Sequence, residues 1–583
     1  MQKTKPGVVR RLLRYLRPRK KTVALALLLA LMVTVSDLIR PVLVGNAMDS
    51  ITAGGTFSMI VRYSAMYLMI LVIGTVCNAV QMWMLQKLGQ DIIYEIRQEL
   101  FEHIHRLSLR FFDITPVGRI VTRVTNDVET LNELFSTILV TMVKNGVLIL
   151  GYAGVMLYLN WKLALISFVL LPLVIYLTGL FTRLYRTTHR ITRTKVSAMN
   201  TYLSENLSAM KLIQIFHREE EKQREFRQRS DDLFRSNFRE IVVYGTFRPL
   251  IYFISIVSLA SVLGFGGVQV MHGALSIGTL YIFTSYVKSF FEPIQSLSDQ
   301  FGTLQAAMAA GEKIFTLMDE EPMIVNPQQP KALPQVKGRI EFDHVWFSYD
   351  GEEWVLRDVS FVIEPGQTAA FVGATGAGKS SILNLIGRYY DIQKGKITID
   401  GVDIREMDVH ALRHAVGQVQ QDVFLFTGDI QSNIRLRQED ISDQKIRDAA
   451  KFVNADGFIS RLENGYETAV TERGSTLSAG QRQLLSFART LAFDPAVLVM
   501  DEATANIDTE TEVLIQDAME RLMEGRTTIV VAHRLSTIQH ADKIMVMHKG
   551  RLREQGTHQE LLQQGGIYKK LYDLQRRSPL QGQ

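Results

Sequence analysis

The chain has 583 residues, too many for one hydrophobic core, and a net charge of +6 from 65 Lys and Arg against 59 Asp and Glu. A single cysteine, Cys77, excludes an internal disulfide framework and any metal site built from cysteines alone. Much of the basic excess flanks apolar runs, which suits the cytoplasmic side of a membrane and argues against nucleic acid as a partner.

The composition divides the chain. Residues 1–320 hold long apolar runs, residues 321–338 form a Pro-rich polar connection, and residues 339–583 read as a soluble α/β protein. A bilayer crossing takes about 20 apolar residues. Six runs reach that length, at roughly 22–44, 63–85, 137–159, 163–181, 250–271 and 277–297. The first is long, lacks a small-residue cleavage site and is followed by further spans, so it reads as a span and not a cleavable signal. The basic stretch before it, from Arg10 to Lys21, is expected to form a short helix along the membrane surface.

The loops around 46–57, 160–161 and 272–274 carry almost no positive charge, whereas segments 86–136 and 182–248 are long and rich in Arg and Lys. That asymmetry puts both termini in the cytoplasm. Helical periodicity at Ile92, Ile93, Ile96, Leu100, Ile104 and Leu107 predicts that the membrane helices continue into the cytoplasm, turning near 115–118 and near 204–208. Within the predicted spans, the ionisable residues Arg40, Lys144, Lys288 and Glu292 are candidates for function. Lys288 and Glu292 are four apart and share a helix face, so they are able to pair or to reach a water-filled cavity. Pro41 after Arg40 suggests a kink or the outer mouth.

In the second half, alternating apolar residues from Arg339 to Tyr349 predict an edge strand. Strand and helix patterns alternate afterwards, as in a mostly parallel α/β core. The apolar run from Thr368 to Val372 reads as a strand, and Gly373-Ala-Thr-Gly-Ala-Gly-Lys-Ser380 follows it with the spacing G-x-x-x-x-G-K-[ST]; Ile382 to Ile386 then reads as a helix. Such a loop cradles phosphates with backbone N–H groups at a helix N-terminus, here from Gly376, Ala377, Gly378, Lys379, Ser380 and Ser381, with Gly373 and Thr375 in the same loop. Lys379 reaches the β- and γ-phosphates and Ser380 ligates Mg²⁺. About 120 residues on, the apolar run Ala496-Val-Leu-Val-Met ends in Asp501-Glu502. Asp501 is expected in the Mg²⁺ shell and Glu502 on the attacking water. The cofactors implied are ATP and Mg²⁺.

Leu477-Ser-Ala-Gly-Gln481, followed by Arg482-Gln483, resembles the signature sequence of ABC-transporter ATPases. Other elements agree in order. Tyr349 resembles the aromatic residue that stacks on adenine, and Gln421 in Val419-Gln-Gln-Asp422 resembles the Q-loop glutamine. Thr471-Glu-Arg-Gly474 stands where the X-loop lies. Ala505-Asn-Ile-Asp508 resembles the D-loop, and His533 resembles the switch histidine. Singly, each of these residues is commoner in packing or on a surface; the ordered set carries them. With six spans ahead of one such ATPase, the chain resembles a half-transporter of the type IV exporter class along essentially its whole length.

The resemblance implies a fold class, a helical membrane domain of six long helices plus an α/β P-loop ATPase domain of the ABC type, in a bacterial inner membrane. It implies Gln421 beside Ser380 and Asp501 at Mg²⁺, and His533 on the γ-phosphate. Ser478, Gly480, Gln481 and Asp508 are implied at the ATP of the opposite subunit, so a dimer with twelve spans completes two composite sites. The turns at 115–119 and 206–211 are implied to couple the ATPase to the membrane helices. Ala479 stands where the family's signature usually has glycine. That string and the Ala-Asn-Ile-Asp loop resemble one branch of paired bacterial multidrug half-transporters. Since Glu502 and His533 are kept, the expectation is a heterodimer with this chain as the catalytically intact member, a homodimer remaining open. The expected cargo is amphipathic small molecules or lipid, with an importer of the same fold as an alternative. A peptide-processing exporter, which would carry a protease ahead of the basic flank, is not expected.

Overall fold

The computed structural model describes residues 7–331, 336–436, 438–501, 509–532 and 538–577. The chain divides into two compact units, Met1–His105 with Val117–Glu320, and Arg106–Pro116 with Glu321–Gln583.

The first unit is helical. The basic flank forms α1 (Val8–Leu16), which buries Leu12 and is tied down by Arg11, whose guanidinium lies 2.8 Å from Asp319 and over the Phe315 ring at 4.2 Å. A 3-10 turn at Arg17–Arg19 leads into α2 (Lys20–Thr52), and α3 (Phe57–Arg106) follows. At 1.5 Å per residue, the 50 residues of α3 extend about 75 Å, more than twice a hydrocarbon core of roughly 30 Å. Its far half buries Ile92, Ile93, Ile96, Leu100 and Ile104, so the periodic stripe of the sequence is the packed face. Leu28, Leu31, Met69, Val72 and Trp83 stay exposed, as side chains meant for lipid would.

The short α4 (Leu109–Ile114) falls in the second unit. The next stretch is continuous from α5 (Val117–Thr122) through α6 (Val128–Glu133) to α7 (Leu139–Leu159), with π-helical turns at Arg123–Asp127 and Leu134–Ile138. After Asn160, whose side chain caps α8 (Trp161–Phe168), come α9 (Leu171–Ser208), α10 (Met210–Ile215), α11 (Glu219–Met271) and α12 (Ile277–Met318). The second cytoplasmic turn therefore starts later than 204–208, because α9 stays helical to Ser208. The chain bends at Ala209 and again at His217, which has a left-handed φ of 50°.

Among the described residues five helical stretches are long and apolar enough to cross a membrane: Val8–Thr52, Phe57–Arg106, Val117–Leu159, Trp161–Ser208 and Glu219–Met271. The sixth predicted span falls in α12, which has 42 residues but is diluted by Lys288, Glu292 and hydroxyl side chains and does not join that group. It is nonetheless packed: Phe283, Tyr286 and Phe290 are buried against Leu148, Tyr152 and Met156 of α7.

The second unit is α/β. Strand β1 (Ile340–Phe347) pairs antiparallel with both β2 (Leu356–Ile363) and β4 (Lys394–Ile399), in a four-stranded sheet ordered β2-β1-β4-β5, with β5 at Val402–Asp403. The edge-strand expectation is thus corrected. Alternation reports that one face of a strand is buried; it carries no information on how many of its edges are hydrogen-bonded.

A six-stranded sheet is ordered β12-β11-β3-β10-β9-β6: β3 (Thr368–Val372), β6 (Val416–Val419), β9 (Val497–Asp501), β10 (Thr527–Val531), β11 (Lys543–His548) and β12 (Arg551–Gly556). Only β12 runs antiparallel in it. Strands β7 (Gly428–Asp429) and β8 (Ala469–Val470) form a separate small pair. Strands β3, β9 and β10 are buried along nearly their whole length, which is why they read as continuous apolar runs.

Candidate functional site

In parallel sheets ligands settle beyond the carboxyl ends of the strands, and register brings the candidate residues to that edge. Phe371 of β3 and Asp501 of β9 both stand opposite Val531 of β10, and Val419 of β6 stands opposite Met500. The loop after Val372 and the acid ending β9 therefore leave the sheet together, and Gln421, exposed at a bend just past β6, leaves beside them.

The loop closes on α13 (Lys379–Ile386), at the positions expected. Thr375 and Gly376 are exposed, and Ala377 is buried. Gly378, at φ 97°, turns the chain into the helix in a conformation that L side chains rarely adopt. No side chain caps this N-terminus, which leaves its first N–H groups available to an anion.

Lys379 is buried and folds back along the loop, donating to the carbonyls of Gly373 at 2.6 Å and Ala374 at 3.1 Å. Burial pushes its pKa below the usual lysine range, partly opposed by the nearby Asp501 carboxylate. Ser380 donates its hydroxyl to Asp501 Oδ2 at 3.1 Å. A serine hydroxyl and a carboxylate are hard oxygen donors, the type Mg²⁺ takes together with phosphate oxygens and water. The pair fits a shared Mg²⁺ site, and among the described residues no cluster of three His, Cys, Asp or Glu side chains offers another.

Tyr349 leads from the loop to a part of the chain that sequence reasoning did not connect with it. Its hydroxyl is 3.0 Å from Ser381 Oγ, and its ring meets Phe347 and Tyr390 edge-on, at 4.7 and 4.9 Å. The Tyr390 hydroxyl in turn donates to the Asp113 carboxylate in α4. Burial and Asp113 both push the Tyr390 phenol up. Within the second unit, hydrogen bonds and ring contacts therefore run from α4 to the phosphate loop.

The segment after Gln421 has a second anchor missed from sequence, Asn433. Its amide donates to the carbonyls of Phe426 and Asp429 at 2.8 and 3.0 Å, its Oδ1 accepts from Phe426 N–H at 2.8 Å, and Arg489 donates to its backbone carbonyl. An Asn beside a Gly-Asp turn was the available signal.

Ser478 caps the helix Ala479–Phe493 in a capping box with Gln481: Gln481 N–H donates to Ser478 Oγ, and Ser478 N–H to Gln481 Oε1. Ser478 is exposed and Gly480 buried. Ala479 is the first helical residue and does not have a positive φ, so its Cβ imposes no backbone strain. Among the described residues no hydrogen bond joins this turn to the phosphate loop. In the X-loop segment, Arg473 takes a left-handed φ of 56°. Glu502, Asp508 and His533 lie outside the described residues.

In the helical unit, Arg40, Lys144 and Glu292 line one cavity of about 460 Å³, and Pro41, although inside α2, does not interrupt it. Lys288 is exposed and does not line that cavity. Asp37, unnoticed within the first apolar run, does, and is ion-paired to Arg40.

Comparison with known proteins decides the family. Residues 23–294 match the ABC transporter transmembrane region, and residues 356–505 match the ABC transporter family. The chain belongs to the ABC transporters. It is 33% identical over 568 residues, 97% of this chain and 94% of the other, to the ATP-dependent lipid A-core flippase of Syntrophus aciditrophicus (strain SB). It is 39% identical over 501 residues, 85% and 74% of the two chains, to YheH of Bacillus subtilis (strain 168), which is named for multidrug resistance. A bacterial Atm1-family ABC exporter solved with ATP bound superposes with a TM-score of 0.79 at 28% identity, over 95% of this chain and 98% of that one. This ABC transporter is accordingly a membrane protein that binds and hydrolyses ATP to drive export, and exporters of the family work as dimers.

Proposed function

We propose that the chain is one subunit of a dimeric exporter that moves amphipathic, drug-like compounds out of the cytoplasm or the inner leaflet of a bacterial inner membrane by alternating access. The observation that carries the reading is the phosphate loop with Lys379 folded over it and the Ser380–Asp501 pair beside it, on a chain that also carries long apolar helices. In this reading residues 1–320 are the membrane domain with six spans and cytoplasmic termini, 321–338 the connection and 339–583 the ATPase.

Tyr349 supports adenine. The loop from Gly373 to Ser381 and Lys379 hold the phosphates. Ser380, Gln421 and Asp501 hold Mg²⁺, which when bound supplies positive charge against the phosphate oxygens. Glu502 orients the attacking water, and His533 contacts the γ-phosphate. Catalysis of this kind is mostly positioning and electrostatic stabilisation. Ser478, Gly480, Gln481 and Asp508 complete the site of the opposite subunit. The exposure of Ser478, and the absence among the described residues of a hydrogen bond from the signature turn to the chain's own phosphate loop, support that division of labour. Closure of the two ATPase domains is passed to the helices through the turns at 115–119 and 206–211, a rearrangement between two packed states.

The partner is a second half-transporter that differs from this chain. Lipid flipping is the second reading, favoured by the flippase relative. The test is the purified chain, alone and with a co-encoded half-transporter, with mass and ATP hydrolysis measured in detergent and uptake of dyes and lipids measured in inside-out vesicles. Glu502→Gln is expected to abolish steady turnover and uptake together. Full turnover in that variant would refute the assignment, and an active dimer of the chain alone would refute the heterodimer.

A further inference from the structure

The cavity of the helical unit has a charge pattern that specifies a ligand. Asp37 and Arg40 come from α2, Lys144 from α7 and Glu292 from α12, and all four line the same space of about 460 Å³. Arg40 is ion-paired to Asp37, and Lys144 Nζ lies 4.0 Å from the other oxygen of the same carboxylate. Two cations therefore share one acid. Glu292 makes no hydrogen bond or ion pair among the described residues but attracts Lys144 electrostatically, so the cavity holds two positive and two negative groups in balance.

The three helices hold these groups at one depth. Asp37 is 15 residues from the end of α2 at Thr52, Lys144 is 15 from the end of α7 at Leu159, and Glu292 is 15 from the start of α12 at Ile277. Those ends lie on one side of the unit. Asp49 of α2 accepts from Ser276 Oγ and Gly278 N–H at the start of α12, and Asn160, just past α7, donates to Gln269 near the end of α11. At 1.5 Å per residue the charged level is about 22 Å from the helix ends. With roughly 6 Å of headgroup layer on each side of a hydrocarbon core about 30 Å thick, that is the middle of the bilayer. Ionised side chains are expensive at that depth and persist where they face a cavity and serve a function.

Resting on the export reading above, we infer that this chamber receives the head of a zwitterionic amphiphile, its anionic group against Arg40 and Lys144 and its cationic group against Glu292. Tyr67 and Tyr281 also line the space, and aromatic rings attract a quaternary or primary ammonium. A ligand with both signs meets each kind of lining group and preserves the charge balance of the cavity. A ligand with one sign adds a net charge in a medium of low dielectric, where an uncompensated charge is costly.

The test uses the dimeric transporter in lipid nanodiscs, with empty discs subtracted, and equilibrium binding of three C12 probes below their micellar concentrations: dodecylphosphocholine, dodecyltrimethylammonium and dodecyl sulfonate. The zwitterion is expected to half-saturate at least tenfold lower than either singly charged probe. Glu292→Gln is expected to erase its advantage over the sulfonate, and Lys144→Met its advantage over the ammonium. Each comparison is a ratio within one protein, and the wild-type ratio alone decides if a variant fails to assemble. Equal binding of the three probes, or preference for a singly charged one, overturns the inference. In vesicles, ATP-dependent movement of a short-chain fluorescent phosphatidylcholine identifies a lipid headgroup as the source, and accumulation of dodecylphosphocholine identifies a free amphiphile; movement of neither overturns the inference. An absence of ATP hydrolysis in the probe-free wild type would instead count against the export reading.

Discussion

Replacing Gly378 by alanine tests whether the phosphate loop is held by its own backbone geometry. At φ 97° the residue lies beyond the left-handed well near φ 57°, so an L side chain there costs about 1–3 kcal/mol. The new Cβ would also come 2.7 Å from Leu356 Cδ2 and 3.2 Å from the Val355 carbonyl oxygen. Leu356 is fully buried, so it has little room to retreat, and overpacking of this kind adds about 1–3 kcal/mol. Gly376 is the internal control: its φ is 78°, but no atom lies within 4 Å of its Cβ position, which leaves only the backbone term of about 1–2 kcal/mol. The difference, about 2 kcal/mol, corresponds to roughly 4–8 °C for a domain of this size. The assay is thermal unfolding of the nucleotide-free ATPase half within the full chain in detergent, so that contacts with ATP do not enter. Gly378→Ala should melt lower than Gly376→Ala by that margin. If the two melt together, or in the opposite order, the steric argument is wrong.

Two further outcomes are expected. ATP phosphates favour charged Lys379, whose pKa in the free protein is lowered by burial. Affinity for ATP should therefore be full below that lowered pKa, fall as pH rises from it to the higher pKa of the complex, and level off above both; a titration of ATP affinity through the alkaline range measures this, and Lys379→Arg, which does not titrate, should flatten the slope. Tyr390→Phe keeps the ring contact with Tyr349 but loses the bond to Asp113. It should leave ATP hydrolysis within about threefold while lowering solute moved per ATP by more than that, a typical hydrogen bond to a charged group being worth about 1.5–3 kcal/mol; an unchanged transport ratio would remove Asp113–Tyr390 from the coupling route.

What the sequence alone determined is local. The phosphate loop was legible because it needs particular residue types at consecutive positions, and strand β3 and helix α13 around it follow from short apolar runs. The buried stripe from Ile92 to Ile104 was legible because helical period survives at any length. Tertiary structure decided whatever depends on pairing between distant segments. Alternation in β1 reported its buried face, but only the sheet showed both of its edges occupied. Asp37 went unnoticed within an apolar run, and only packing placed it in one cavity with Lys144 and Glu292. Asp113 and Tyr390, 277 positions apart, met only in the folded chain. A one-dimensional pattern records what each residue asks of its neighbours along the helix or strand; which charges end up facing one another is settled by how those elements pack.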